Sequence, residues 1–397
     1  MKNRISLAVG VALAGAPFLS LAAPEGTLTN PNLSLVLDGY YQDGERALGE
    51  REEGFNLGHT ELAISAAIDD KFYGKLTTVL ETHDGETEIG LEEAFIQTLA
   101  MPGGLSVRAG RFLSDIGYLN NQHLHTDAFV ERPAAYRAFL GGHYFDDGVR
   151  INWVAPTDFY WEFGGEAFSG DPLQAEELES VETVGVYHLY TKLGGDIGQS
   201  HSWQASLSWL RNENGQSHAG EHDHDLEVAE LVDEHEHDHE HGHGAAFTGR
   251  DLFNVSAVYK WAPGGNYKYN HFTLSGEYFY LDAPFEHEEG HDEEETGPDY
   301  YDGWYLSGVY QFSPSWSAGV RYGEMSAAML EIHDDHGHFH DARIKETEAM
   351  VAWHPSHFSA VRLQYTHQDL TEFGDFDDQV ITLQYVMTLG AHGAHQF

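Results

Sequence analysis

The chain contains no cysteine. Disulfides and thiolate metal sites are therefore excluded, and any metal site must be built from His and carboxylates. Positive charge is also scarce: 20 Lys+Arg stand against 65 Asp+Glu, a formal net charge of −45. That excess excludes nucleic acid as a partner and disfavours an anionic membrane surface, but it attracts cations. Beyond the N-terminus no stretch approaches the roughly 20 apolar residues of a spanning helix. No nucleophile elbow, P-loop, dinucleotide fingerprint or H-E-x-x-H helix is present, and the reading is not an enzyme.

What is present starts with an export signal. Lys2 and Arg4 precede an apolar run over 5–19 and the small-x-small site Ser20-Leu21-Ala22. This predicts a signal peptide over 1–22 and a mature chain over 23–397. Cys-free export fits a Gram-negative envelope protein.

Segments of about ten residues then alternate apolar and polar side chains at period two. Trp203, Ala205, Leu207 and Trp209 alternate with Ser202, Gln204, Ser206 and Ser208. Ile381, Leu383, Tyr385, Met387 and Leu389 alternate with Thr382, Gln384 and Thr388. One face is greasy and tipped with aromatics, and the other is polar. The pattern predicts an all-β, transmembrane antiparallel barrel of about 16 strands, with lipid outside and water in the lumen. Among the expected strands are 54–68, 316–325 and 344–354. Tight turns such as Met101-Pro102-Gly103-Gly104 and Ser313-Pro314-Ser315 alternate with long connections. Short turns are expected on the periplasmic side and long loops outside the cell.

The long connections carry the candidate chemistry. Between Arg211 and Arg250 lie eight His, eleven Asp or Glu and no Lys or Arg. This loop (212–248) offers His218, His222, His224, His235, His237, His239, His241 and His243. A second loop (282–301) offers His287 and His291 among acids. A third (326–343) offers His333, His336, His338 and His340. Imidazole suits zinc, copper and nickel, and carboxylates add oxygen ligands. A solvated acidic face accounts for the Asp and Glu but leaves the His density unexplained. The connection 113–146 is long without being of low complexity. It is a candidate for a constriction loop folded into the lumen, offering Asp115, His123, His125, Asp127, Glu131, His143 and Asp146, with Asp147 just beyond it. His123-Leu124-His125 beside Asp127 is a candidate transit site, and Arg132 and Arg137 are candidate partners of the loop's acids. Arg108, Arg111, Arg150, Arg321 and Arg362 would form a basic stripe only if strand phase turned them inward.

Four stretches give the chain a family likeness: Gly58-His59-Thr60-Glu61-Leu62, Leu91-Glu92-Glu93-Ala94-Phe95, Arg108-Ala109-Gly110-Arg111-Phe112 and the closing Gly390-Ala391-His392-Gly393-Ala394-His395-Gln396-Phe397. They resemble bacterial outer-membrane porins related to the phosphate-selective porin O and P group, and within it the His-rich members associated with zinc limitation. The resemblance implies a barrel channel in the outer membrane and puts zinc ahead of copper, which raw affinity would favour. Phosphate selectivity does not carry over, because a phosphate pore needs a basic lumen and this chain is acidic.

The expected function is passive uptake of a divalent metal ion, with the acidic His-rich loops capturing it at the pore mouth. No cofactor is required, and zinc is the bound or transported ion. The expected partners are divalent metal ions and outer-membrane lipid, with monomer or homotrimer left open. Two other readings stand beside it: a general or anion-selective porin whose loops are a charged shield, and a surface metal-binding protein without transport.

Overall fold

A computed structural model describes residues 27–28, 30–83, 86–173, 183–214, 249–282, 300–333, 336–373 and 376–390. The expected signal peptide, the closing motif after Gly390, and all the His of the loops 212–248 and 282–301 lie outside these residues.

Alternating sequence has become paired strand. The chain runs through β1 (Asn32–Asp43), β2 (Gly54–Leu57), β3 (Thr60–Ala67), β4 (Phe72–His83), β5 (Glu86–Thr98) and β6 (Leu105–Leu113). After the long connection come β7 (Phe145–Val154), β8 (Tyr160–Phe168), β9 (Val186–Ile197), β10 (His201–Asn212), β11 (Asp251–Trp261) and β12 (His271–Asp282). β13 (Tyr300–Ser313), β14 (Trp316–His333), β15 (His336–Ser356), β16 (Ser359–Thr371) and β17 (Gln379–Gly390) complete the set. Neighbours pair antiparallel, and β17 returns to β1 with Ser34 opposite Gly390 and Asp43 opposite Ile381. β2 and β3 both pair with β1 and share one place in the wall, so the seventeen strands make a closed barrel of sixteen places. Closure leaves the sheet without an unpaired edge.

The alternation sorts inside from outside. On β16, Arg362, Gln364, Thr366 and Gln368 are buried within the barrel, while Leu363 and Tyr365 are exposed on its outer face. On β10, Ser202, Ser206 and Ser208 are buried and Leu207 is exposed. Aromatic pairs ring the outer face near the short turns, with Trp153 stacked on Phe163 and Trp316 on Trp353. A polar interior within an apolar, aromatic-tipped exterior is the arrangement of a barrel made for lipid.

Two boundaries differ from the sequence reading. The strand expected over 54–68 is broken at Gly58-His59. The stretch 326–343, expected as a loop, instead extends β14 and β15 as one paired hairpin up to His333 opposite His336. The charged residues obscured a pattern that Met329, Leu330, Ile332 and Phe339 sustain.

The connection 113–146 runs inside the barrel. It contains α1 (Ala134–Leu140), all of whose residues are buried. Seven residues are too few for a stable isolated helix, so packing must hold it. Tyr136 meets Phe279 edge-on at 5.1 Å, and Phe139, Tyr301, Tyr305, Met325 and Ile344 complete an apolar cluster between helix and wall. Gly303 on β13 permits the approach, since a Cβ there would stand 2.7 Å from the Ala135 Cβ. The helix ends at Gly141 and Gly142, both at positive φ, where glycine is strain-free.

Candidate metal centre in the barrel lumen

The wall beside the in-folded segment is irregular at two points, and both irregularities present ligand-type side chains. At the first, the break between β2 and β3 places His59 among the buried residues. Gly58 N–H donates to the Asp38 carbonyl at 2.9 Å, and a side chain at 58 would collide with the Arg51–Asp38 ion pair. At the second, β5 bulges against β4: Thr77 lies opposite Glu93 and Thr78 opposite Leu91, leaving Glu92 as an extra residue. A bulge re-aims side chains, and here both Glu92 and Glu93 are buried inside. Glu61, on β3, is buried beside them.

The segment supplies the other half. His123 Nδ1 lies 3.2 Å from Glu61 Oε2 and 3.1 Å from Glu92 Oε2, and its Nε2 lies 3.1 Å from Glu93 Oε2. His125 Nδ1 is 2.6 Å from Glu61 Oε1. His143 Nε2 is 3.1 Å from Glu92 Oε1, and His59 Nε2 is 3.3 Å from the same oxygen and 3.7 Å from Glu61 Oε1. Lys75 pairs with Glu93 and stands 2.8 Å from His123 Nε2. Four imidazoles, three carboxylates and one ammonium therefore share one buried volume. Burial pulls the His123 imidazole down, yet the carboxylates of Glu61, Glu92 and Glu93 outweigh burial and Lys75 and hold its pKa well above the usual value. Three ligand sets arise among the described residues: His59, Glu92 and His143; Glu61, His123 and His125; Glu92, Glu93 and His123.

The remaining candidates of the segment have other duties. Asp115 accepts from Lys192 Nζ at 2.5 Å; burial pushes its carboxyl up, but Lys192 and Arg150 hold it far below the usual range. Asp127 pairs with Arg132, and burial nonetheless keeps Asp127 above the usual carboxylate range. Glu131 receives Arg46 at 3.2 Å and the backbone N–H of Glu50 and Arg51. Asp146 accepts from Ser169 Oγ, Gly170 N–H and Tyr144 Oη, so it fixes a turn. Asp147 is corrected as a lumen candidate. Period two along β7 turns it to the outer face, where it pairs with the half-exposed Arg111. Arg108, Arg150, Arg321 and Arg362 do face inward, but Gln97, Glu166, Glu348 and Gln384 respectively occupy them, so no bare basic stripe forms. Arg137 binds Glu346 of β15, on the wall the helix packs against, at 2.6 Å rather than an acid of its own segment.

Ser114, Glu166 and His188 also meet, but not as a catalytic set. The hydroxyl donates to Glu166 at 2.6 Å, and His188 turns the same Nδ1 to Ser114 and Glu166. A hydroxyl that gives its proton to a carboxylate is a pin, not a nucleophile served by an imidazole base.

Of the loop His, 218 to 243, 287 and 291 lie outside the described residues. For the hairpin His, the backbone register sets His333 opposite His336, Glu331 opposite His338 and Met329 opposite His340. The wall residues His59, Glu61, Glu92 and Glu93 were not singled out as ligands from sequence. The visible signal was the adjacent pair Glu92-Glu93, two charges where period two allows one.

No family model matches the chain. A protein of Aquifex aeolicus (strain VF5) described as uncharacterized is 28% identical over 379 residues, covering 90% of this chain and 74% of that one. Among solved structures, the outer membrane channel DcaP of Acinetobacter baumannii is similar at TM-score 0.54 and 11% identity, over 92% of this chain and 100% of that one. OmpT, an outer membrane protein of Vibrio cholerae solved in a trimer form, is similar at TM-score 0.54 and 10% identity, over 91% and 99%. At such identities the likeness is one of fold: a closed sixteen-place antiparallel β-barrel.

Proposed function

We propose that the protein is an outer-membrane channel for passive uptake of divalent metal ions, with zinc the foremost cargo. The observation that carries this reading is the lumen's equipment: His123 and His125 of the in-folded segment converge with Glu61 and Glu93 of the wall. The acidic composition and the His-rich outer connections support it, since both concentrate cations at the mouth. The resemblance to His-rich, zinc-associated porins points the same way. The segment 113–146 acts as the constriction, and the homotrimer is the proposed assembly, by analogy with the trimer form of OmpT. Glu166 and Glu348 neutralise Arg150 and Arg321, which weighs against anion selectivity, while Arg108 and Arg362, bonded to glutamines, keep their charge.

Single-channel recording in a planar bilayer tests the proposal. A cation-selective reversal potential in a salt gradient, with conductance modulated by micromolar zinc on the long-loop side, is expected. Anion-selective conductance indifferent to zinc sinks it in favour of a general porin. Zinc binding without conductance sinks it in favour of a surface metal-binding protein.

A further inference from the structure

We infer that His59, His143 and Glu92 form a resident site for one divalent transition-metal ion of zinc-like chemistry, and that this ion fastens the in-folded segment to the barrel wall. The inference does not depend on what the channel carries.

Spacing comes first. Ligands about 2.0–2.1 Å from a tetrahedral zinc stand about 3.3 Å from one another. Glu92 Oε1 lies 3.3 Å from His59 Nε2 and 3.1 Å from His143 Nε2. These three ligand atoms form one set within 4.8 Å of one another, and water takes the fourth corner. Two imidazoles and one carboxylate at this spacing suit zinc or cobalt, not calcium or magnesium, which need six or more oxygens or retained water.

The second observation is independent of spacing. Glu92 is 1% exposed, yet both its carboxylate oxygens are buried without a hydrogen bond of acceptable geometry. A buried carboxylate in that condition is costly unless a cation meets it.

The surroundings are those of a held ligand set. His123 Nδ1 faces the outer oxygen of the carboxylate ligand, at 3.1 Å from Glu92 Oε2. Such an outer partner orients the ligand and raises affinity. His59, Glu92 and His143 are all buried, away from a conduction path on which an ion must enter and leave readily. The role of this ion is therefore mechanical. His143 lies at the end of the segment and the other two ligands on the wall, so the ion ties one to the other.

The test uses the full-length barrel in detergent, stripped with chelator and titrated with cobalt(II). The expected result is the intense visible band of four-coordinate cobalt on the first and tightest equivalent, displaced by zinc, with the outer-loop sites filling later. X-ray absorption at one equivalent should read two imidazoles, one carboxylate and one water at about 2.0 Å. Deleting Glu92 should abolish the band while the barrel still migrates as folded in a heat-modifiability gel. Asp147→Asn, on the outer face of β7, should leave the band unchanged. Adding the ion should slow amide exchange over 113–146 by about tenfold. A six-coordinate, oxygen-only shell in the unmodified protein overturns the site, whether or not the deletion folds. A band that survives in a folded Glu92 deletion also overturns it, and exchange indifferent to the ion overturns the fastening. None of these readings requires transport, so failure of the channel proposal leaves them standing.

Discussion

Glu92 and Glu93 are consecutive residues of one strand, and both carboxylates face the lumen because the bulge opposite Thr77 and Thr78 adds one residue to β5. Glu92 is the extra residue, so removing it leaves the pairs Thr77 with Glu93 and Thr78 with Leu91 intact. Its deletion should change unfolding free energy by less than about 2 kcal/mol. Glu93→Gln, which strips Lys75 of its ion-pair partner, should cost about 1–3 kcal/mol. Equilibrium urea unfolding in micelles compares the two.

Arg46 reaches from the first long connection to Glu346 on β15, with two contacts at 2.9 and 2.8 Å, and to Glu348 at 2.8 Å. All three side chains are nearly inaccessible. Arg46→Ala leaves Glu346 to Arg137 and Glu348 to Arg321, and should cost about 1–3 kcal/mol. The midpoint of urea unfolding measures it, and a shift within error would mean that the network contributes nothing net.

Asp115 supplies a pH dependence with a defined sign. Its folded pKa lies far below the unfolded value of about 3.9, held down by Lys192 and Arg150 against burial. A depressed folded pKa stabilises above the unfolded pKa and is lost as pH falls toward the folded one. The stability gap between the unmodified protein and Asp115→Asn should stay constant from pH 7 to about pH 5 and shrink below about pH 4. A gap that closes between pH 7 and 5 contradicts this assignment.

The apolar packing of α1 makes a prediction about permeation. Tyr136 and Phe139 pack on Phe279 of β12, and Glu277 accepts from Tyr136 Oη at 2.9 Å and Tyr305 Oη at 2.8 Å. Replacing 134–140 with a Gly-Ser linker removes this filling, and single-channel conductance should rise several-fold. Unchanged conductance would place the conducting path elsewhere.

Capture by the outer loop depends on neutral imidazole. Zinc modulation of conductance should weaken between about pH 7.5 and 5 as His protonates, and deleting 215–245 should reduce it at pH 7.5. A flat response to pH and to the deletion would reduce the loop to a charged shield.

The barrel was legible in the sequence wherever period two holds undisturbed, as along β10 and β17, because polar lumen and apolar exterior write themselves into alternate positions. The connection 113–146 could be suspected from its length and mixed composition. The candidate metal centre was half legible. His123, His125 and His143 stood out in one segment, but Glu61, Glu92 and His59 lie 31 to 84 positions from those they meet. The break at His59 and the bulge at Glu92 also defeat period two, and only paired backbone reveals them. Asp147 failed for the complementary reason: the period was intact, and its phase put the carboxylate outside.

The in-folded segment has a consequence for how the chain reaches its final form. Arg46 and Glu346 lie 300 positions apart, the sheet is sealed only when β17 meets β1, and Arg137 and Tyr136 tie the helix to β15 and β12. Sealing the ring around an unfilled interior would leave these groups without their partners, and filling it first would require a surface that does not yet exist. Seam and filling therefore complete together, in one late, slow and cooperative step governed by contacts between the two ends of the chain.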